Sequence, residues 1–333
     1  MKNFNLTTQL QCFVCSALII GSASAHSQSL CVFDMAGKQG PVYSLMKEYA
    51  LNAARWGTKL EIIPYIDERI AAEDFKAGQC DGVLLTGIRA RQFNQATGSI
   101  DSIGGLPNYR SVKLLFEVLA KPEASKYMIQ NNYEVAGLLP LGAAYLFLRD
   151  RQINSVAKMA GRKLAVLGHD QAQIKMSALI GAQAVASDVT NFAGKFNNGI
   201  VDVVAAPAIA YMPLELYKGV GTKGVVLKLP VAQLTLQLVL SKSAFDVNFA
   251  QQSREYFNSH FDDYLKAVLA AEDDIYLFFP PPDGDTNKYI EMMREARIKM
   301  LQEGIYHPKM LALMKRVRCK QQAEAAECTE NRE

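Results

Sequence analysis

A thirteen-residue pattern that occurs twice sets the strongest limit on how this chain can fold. Residues 75–87 read Phe-Lys-Ala-Gly-Gln-Cys-Asp-Gly-Val-Leu-Leu-Thr-Gly, and residues 196–208 read Phe-Asn-Asn-Gly-Ile-Val-Asp-Val-Val-Ala-Ala-Pro-Ala. In register, the copies share Phe75/Phe196, Gly78/Gly199, Asp81/Asp202 and Val83/Val204. Each copy reads as one physical unit. A helix ends, glycine supplies the left-handed residue beyond it, and aspartate opens the turn into a strand. The strand is a short apolar run, Val83-Leu84-Leu85 or Val203-Val204-Ala205-Ala206, as expected when helices cover both faces. Two such units imply two α/β lobes. Ligands of open α/β sheets sit beyond the carboxyl ends of the strands, so the two lobes offer two such ends to one cleft.

The chain has 333 residues, half of them hydrophobic, which is ample for a packed core and suits two domains. With 36 Lys+Arg against 33 Asp+Glu it lacks the basic excess of a nucleic-acid-binding surface. Beyond residue 25 no apolar run is long enough to span a membrane. The first residues read as a secretory signal: Lys2, an apolar stretch from Leu10 to Ile20, then the small residues Ala23-Ser24-Ala25. Cleavage is expected after Ala25, leaving a soluble exported chain from His26. Cys12 and Cys15 leave with the signal; the small residues follow Cys15 rather than precede it, so no lipid anchor is expected.

Four cysteines remain, Cys31, Cys80, Cys319 and Cys328, and an even number in an exported chain points to disulfides. Three pairings are possible. Cys31 opens the first expected strand and Cys80 the third; if those strands are neighbours, Cys31–Cys80 and Cys319–Cys328 are favoured. These four form no C-x-x-C, and with only four histidines in the chain no metal or other cofactor is expected.

In chain order, Leu30–Met35 reads as a buried strand, and Pro41 suits the first position of a helix with Leu45, Tyr49 and Ala53 on its apolar face. Lys59–Ile66 is a second strand, with Pro64 marking an edge position. Asp67 caps a helix leading to the first repeat copy. This β-α-β-α-β order predicts a parallel sheet with right-handed crossovers. Residues 89–109 form a polar loop or hide further turns, and Ser111 is the expected cap of the next helix. Two long apolar stretches, Tyr133–Arg149 and Val225–Leu240, read as strands, the second carrying the chain back to the first lobe. Between them Val156–Gly161 is a helical turn, Lys163–Leu167 a strand, and Val189–Asn198 a helix into the second copy. Helical segments fill Phe245–Ala271 and Tyr289–Gln302.

Three stretches in this order resemble the DctP-like solute-binding proteins of TRAP transporters. They are Phe75–Asp81 followed by Leu106-Pro107; Val156-Ala-Lys-Met-Ala-Gly-Arg-Lys-Leu164; and Val189-Thr-Asn-Phe-Ala-Gly-Lys-Phe-Asn-Asn-Gly-Ile-Val-Asp202. The resemblance runs from about Leu30 to Ala271. It implies an α/β, two-lobed periplasmic-binding-protein fold of type II, here with a C-terminal helical extension, in a periplasmic monomer that delivers a small-molecule ligand to TRAP-type membrane subunits. Family members carry an arginine on the strand after the Gly-x-Lys element that clamps a ligand carboxylate bidentately. That position here is Ala165. The chain also resembles proteins labelled AdeT, described as accessories of RND-type efflux and aminoglycoside resistance, which makes an efflux-pump component the alternative partner. On this reading lobe I comprises 26–146 and 241–281, lobe II 147–240, and the tail 282–333 a helix and a disulfide-clipped end.

No nucleophile elbow, zinc-protease helix or phosphate-binding loop is present, and Gly219–Gly224 lacks phosphate-loop spacing, so a binding protein rather than an enzyme is expected. Ligand contacts are read from strand ends. They are Asp34 and Lys38 after the first strand, Thr86, Arg89 and Arg91 after the third, and His169, Asp170 and Gln171 at a helix N-terminus. Pro207 and Tyr211 follow the second repeat copy, and Tyr145 lies near the crossing between lobes. Arg89 and Arg91 are the candidate substitutes for the missing clamp. The expected ligand is small and polar or organic-acid-like.

Overall fold

The computed structural model describes residues 27–282 and 284–333; the expected signal segment and its cleavage site lie outside them. Ten strands form one sheet: β1 (Gln28–Phe33), β2 (Leu60–Tyr65), β3 (Gly82–Thr86), β4 (Ile129–Gln130), β5 (Tyr133–Leu148), β6 (Lys163–Leu167), β7 (Gln183–Ser187), β8 (Val203–Pro207), β9 (Val225–Ser241) and β10 (Phe278–Phe279). Their order is β2-β1-β3-β9-β5-β8-β6-β7, with β4 beside β5 and β10 beside β9. The outer thirds mirror one another. Parallel β2-β1-β3 meets β9 antiparallel, and parallel β7-β6-β8 meets β5 antiparallel.

The repeated sequence builds these matching thirds. Gly78 and Gly199 both have φ +74°, the left-handed conformation expected beyond a helix end. The aspartates do more than open a turn: each grips the strand next door. Asp81 exchanges backbone bonds with Ser29, donating N–H to its carbonyl at 2.9 Å while its carboxylate accepts the Ser29 N–H at 2.8 Å. Asp202 does the same with Lys163, at 2.8 and 2.9 Å. Phe75 and Phe196, the shared aromatics, are buried in the cores of their respective halves.

The apolar strands are covered on both faces. Along β1, Cys31 and Phe33 enter one cluster with Val83 and Leu85, while Leu30 and Val32 enter another with Leu84. This follows from side chains alternating across a pleated strand. β2 is an edge strand, which lets Pro64 forgo a ladder N–H. Cys31–Cys80 joins β1 to the lead-in of β3, and Cys319–Cys328 closes the C-terminal tail, the two pairings favoured by strand adjacency. Cys31 is the fourth residue of its strand rather than its opening one.

β5 and β9 run antiparallel along nearly their full lengths, with register shifts at Val135/Gly137, Pro140/Gly142 and Ala144/Leu146. Their opposite ends belong to opposite thirds of the sheet, so this pair is the connection between them. Such shifts unpair a residue and increase local twist. Gly142, at φ +106°, occupies backbone closed to a β-branched side chain.

One local reading is resolved and two change. The segment after β3 does hide turns, the short helices Gly87–Ala90 and Gln95–Gly98, which Thr86 and Asn94 cap. The next helix, Tyr109–Leu119, is capped by Asn108; Ser111 donates both its N–H and hydroxyl to that cap. The C-terminal segment is a helical pair, Asp285–Gln302 and Pro308–Gln321. The first of these runs from a cluster with Leu148 and Val203, entered by Tyr289, to one with Phe116 and Leu119, entered by Met300.

Candidate functional site

The carboxyl ends of β1, β3, β6 and β8 converge on a cavity of about 440 Å³. That is the size range of small-molecule sites. Both outer thirds contribute: Phe33, Asp34, Thr86 and Ile88 from one, Ala165, Asp170 and Pro207 from the other. The crossing strands form its floor through Ala144 and Leu146 of β5 and Ala232, Leu234 and Leu236 of β9. Helix Asp285–Gln302 closes a side with Tyr289, Met292 and Met293, and Tyr306 follows it. The lining is overwhelmingly apolar. Among the described residues that line it there is no lysine, arginine or histidine.

Four of the residues expected from strand ends line the cavity: Asp34, Thr86, Asp170 and Pro207. Asp34 is buried, and its carboxylate accepts N–H bonds from Ala36 at 2.9 Å and Tyr43 at 3.0 Å. It thereby pins the loop into the helix Pro41–Arg55, and a Cβ on Gly40 would fall about 2 Å from that carboxylate. Thr86 caps Gly87–Ala90 and donates its hydroxyl to Glu68 at 2.7 Å. Asp170 caps Gln171–Leu179 and receives Arg91 Nη1 at 2.8 Å.

The remaining seven lie outside it. Arg89 is buried against Glu68, 3.4 Å away; burial raises the Glu68 carboxyl above its usual range, while Thr86 and Arg89 hold it down. Arg91 stands at the edge, its guanidinium 5.2 Å from the Tyr306 ring centre and its Nε donating to the Gly98 carbonyl at 3.0 Å. Neither arginine is among the residues that line the cavity. Lys38, His169 and Gln171 are exposed. Tyr145 faces away from the cavity and donates its hydroxyl to Glu272 at 2.7 Å. Tyr211 is core, stacked on Phe147 with ring centres 6.0 Å apart.

Residues not expected from the sequence complete the wall. Gln173, one helical turn beyond Asp170, accepts the Leu167 N–H at 2.8 Å. Asp101 accepts both the hydroxyl and the N–H of Thr235, at 2.7 and 3.1 Å. Burial pushes its carboxyl up to about 7 despite those bonds. Tyr289 is 1% exposed and its hydroxyl has no hydrogen-bond partner among the described residues.

The fold and this cavity define a class of two-part α/β solute-binding proteins. A TRAP periplasmic solute-binding protein from Desulfovibrio salexigens with bound orotic acid superposes with TM-score 0.74 at 14% identity, covering 88% of this chain and 99% of that one. One from Xanthobacter autotrophicus with bound β-D-galacturonate does so with TM-score 0.70 at 12% identity over the same shares. The family described as solute-binding protein AdeT 1/2 matches residues 53–333. Probable solute-binding protein AdeT1 of Acinetobacter baumannii is 43% identical over 304 residues, 91% of this chain and all of that protein. Probable solute-binding protein AdeT2 of the same organism is 27% identical over 237 residues, 71% of this chain and all of that one. The chain belongs to the AdeT 1/2 solute-binding protein family.

Proposed function

We propose that this protein is a periplasmic receptor, exported by a signal cleaved after Ala25, that holds a small solute in the cavity and releases it to a membrane partner without transforming it. Lobe I is 26–146 with 241–281, lobe II is 147–240, and bending occurs along β5 and β9, where the register shifts cluster. TRAP-type membrane subunits are the partner class that suits such a receptor. The observation that carries this reading is the Arg91–Asp170 pair. It joins the two sides of the cavity at 2.8 Å with side chains 13% and 3% exposed. A contact made only when the halves meet stabilises the closed form, and a solute touching both sides adds to it.

Native mass spectrometry of the exported protein and solution scattering before and after solute removal test this. The expected result is a co-purified small molecule whose loss expands the particle. Arg91→Met should expand it without any solute removal, because Asp170 is left buried and unpaired, at a cost of about 2–5 kcal/mol to the closed form. An unchanged scattering profile in both experiments, with tight binding to an efflux-pump component instead, would overturn the receptor reading.

A further inference from the structure

We propose that the cavity is built for a solute with an apolar body and a single protonated amine, and that it discriminates against carboxylates. This rests on the receptor reading above and narrows it to a ligand class. The lining is dominated by aliphatic, methionine and aromatic side chains, so most of the ligand must be apolar to gain from burial. Among the described residues the charges on the wall are of one sign: Asp34, Asp101 and Asp170 line it, and no cationic side chain does. Asp34 is occupied by backbone N–H groups and Asp170 by Arg91. Neither Asp34 nor Asp101 has an ion-pair partner among the described residues; Asp34 spends one oxygen on each of two backbone N–H groups that fix its loop, whereas the bonds of Asp101 come from Thr235 alone, and it is 5% exposed. An amine placed there supplies the missing charge. A carboxylate placed there meets like charge in a poorly hydrated site.

The Tyr289 ring lines the cavity at 1% exposure, but its hydroxyl is itself buried and meets no partner among the described residues, so it adds to the apolar wall rather than offering a polar contact. Ala165 is a cavity-lining position, 7% exposed on β6, whose methyl group offers a carboxylate no cation.

Calorimetric titration of the exported protein at pH 8 with three probes of one skeleton, 4-phenylbutylamine, 4-phenylbutan-1-ol and 4-phenylbutanoate, reads the preference directly. The amine should bind at least about tenfold tighter than the alcohol or the acid. Asp101→Asn should abolish the amine's advantage over the alcohol while alcohol affinity changes by less than about threefold. Ala165→Arg should reverse the order of amine and acid, and provides a second reading if the Asn variant folds poorly. An acid that binds wild type as tightly as the amine overturns the proposal, as does an amine advantage that survives Asp101→Asn. If no probe binds but native mass spectrometry finds a bound organic acid, the ligand class is wrong and the receptor reading stands. If no solute and no probe is found, the receptor reading itself fails.

Discussion

Arg318→Ala should cost about 3–5 kcal/mol of stability and loosen the helical wall of the cavity. Arg318 is 7% exposed on helix Pro308–Gln321. Its Nε and Nη2 meet the two carboxylate oxygens of Glu327 at 2.7 Å each, Nη2 also meets Glu333, and Nη1 donates to the Gly105 carbonyl at 2.7 Å. Arg297, on the preceding helix, reaches the same Glu333 at 2.6 Å and the Gly104 carbonyl at 2.8 Å. The two arginines thus tie the tail, both C-terminal helices and the loop at Gly104-Gly105 into one charged knot. Removing Arg318 leaves Glu327 with only the Arg297 Nη2 at 3.6 Å and takes one of two cations from Glu333, which is costly because the desolvation of these carboxylates has already occurred. Replacing all partners together, Arg318→Met with Glu327→Gln and Glu333→Gln, should recover a large part of the loss. Chemical denaturation measures both, and an Arg318→Ala variant within 1 kcal/mol of wild type would show that the knot contributes nothing. Because Met293 lines the cavity and also approaches Gly104, the loss should also weaken solute retention.

This knot marks where the sequence stops being readable. The repeated units are legible because their physics is local: one glycine needs φ of +74°, and one aspartate reaches the adjacent strand. The cavity's position follows too, since strand ends gather ligands in such sheets. Individual contacts do not. Along β5, Ala144 and Leu146 line the cavity while Tyr145 between them points to Glu272. Strand side chains alternate, so the right neighbourhood with the wrong parity selects the wrong residue. The helix after Asp170 behaves likewise, as Gln173 shares its face and Gln171 does not. Asp101, Tyr289 and Tyr306 carry no local signal at all. Asp101 is identified as a site residue only by Thr235, 134 positions away, and Tyr289 only by where its helix docks. Docking of that kind depends on the summed apolar faces of distant segments, which no short motif encodes.

The same aspartate gives the second large effect, and its sign is fixed. Asp101 is held near 7 by burial, against an unfolded value of 3.8; Thr235 and Arg91 lower it, and Asp170 raises it. Between those values the folded protein holds a proton that the unfolded chain has released, so stability falls as pH rises from about 4 to about 7 and levels off above. The contribution lost across that window is about 3–5 kcal/mol. Asp101→Asn removes the titration, so the variant should gain on wild type steadily over that interval and hold a constant difference beyond it. A fixed offset from the altered bonds to Thr235 shifts the whole curve without changing its slope. Glu68, also raised by burial, contributes equally to both proteins and cancels in the difference. Parallel stability curves for the two proteins from pH 4 to 8 would show that Asp101 is already ionised in the folded state. Solute binding should oppose this trend. A protonated amine beside Asp101 favours its charged form, expels the proton, and so binds more tightly as pH rises toward 8. Stability of the empty protein and affinity for an amine therefore move in opposite directions over the same pH interval, a pattern that a neutral or acidic solute at this position does not produce.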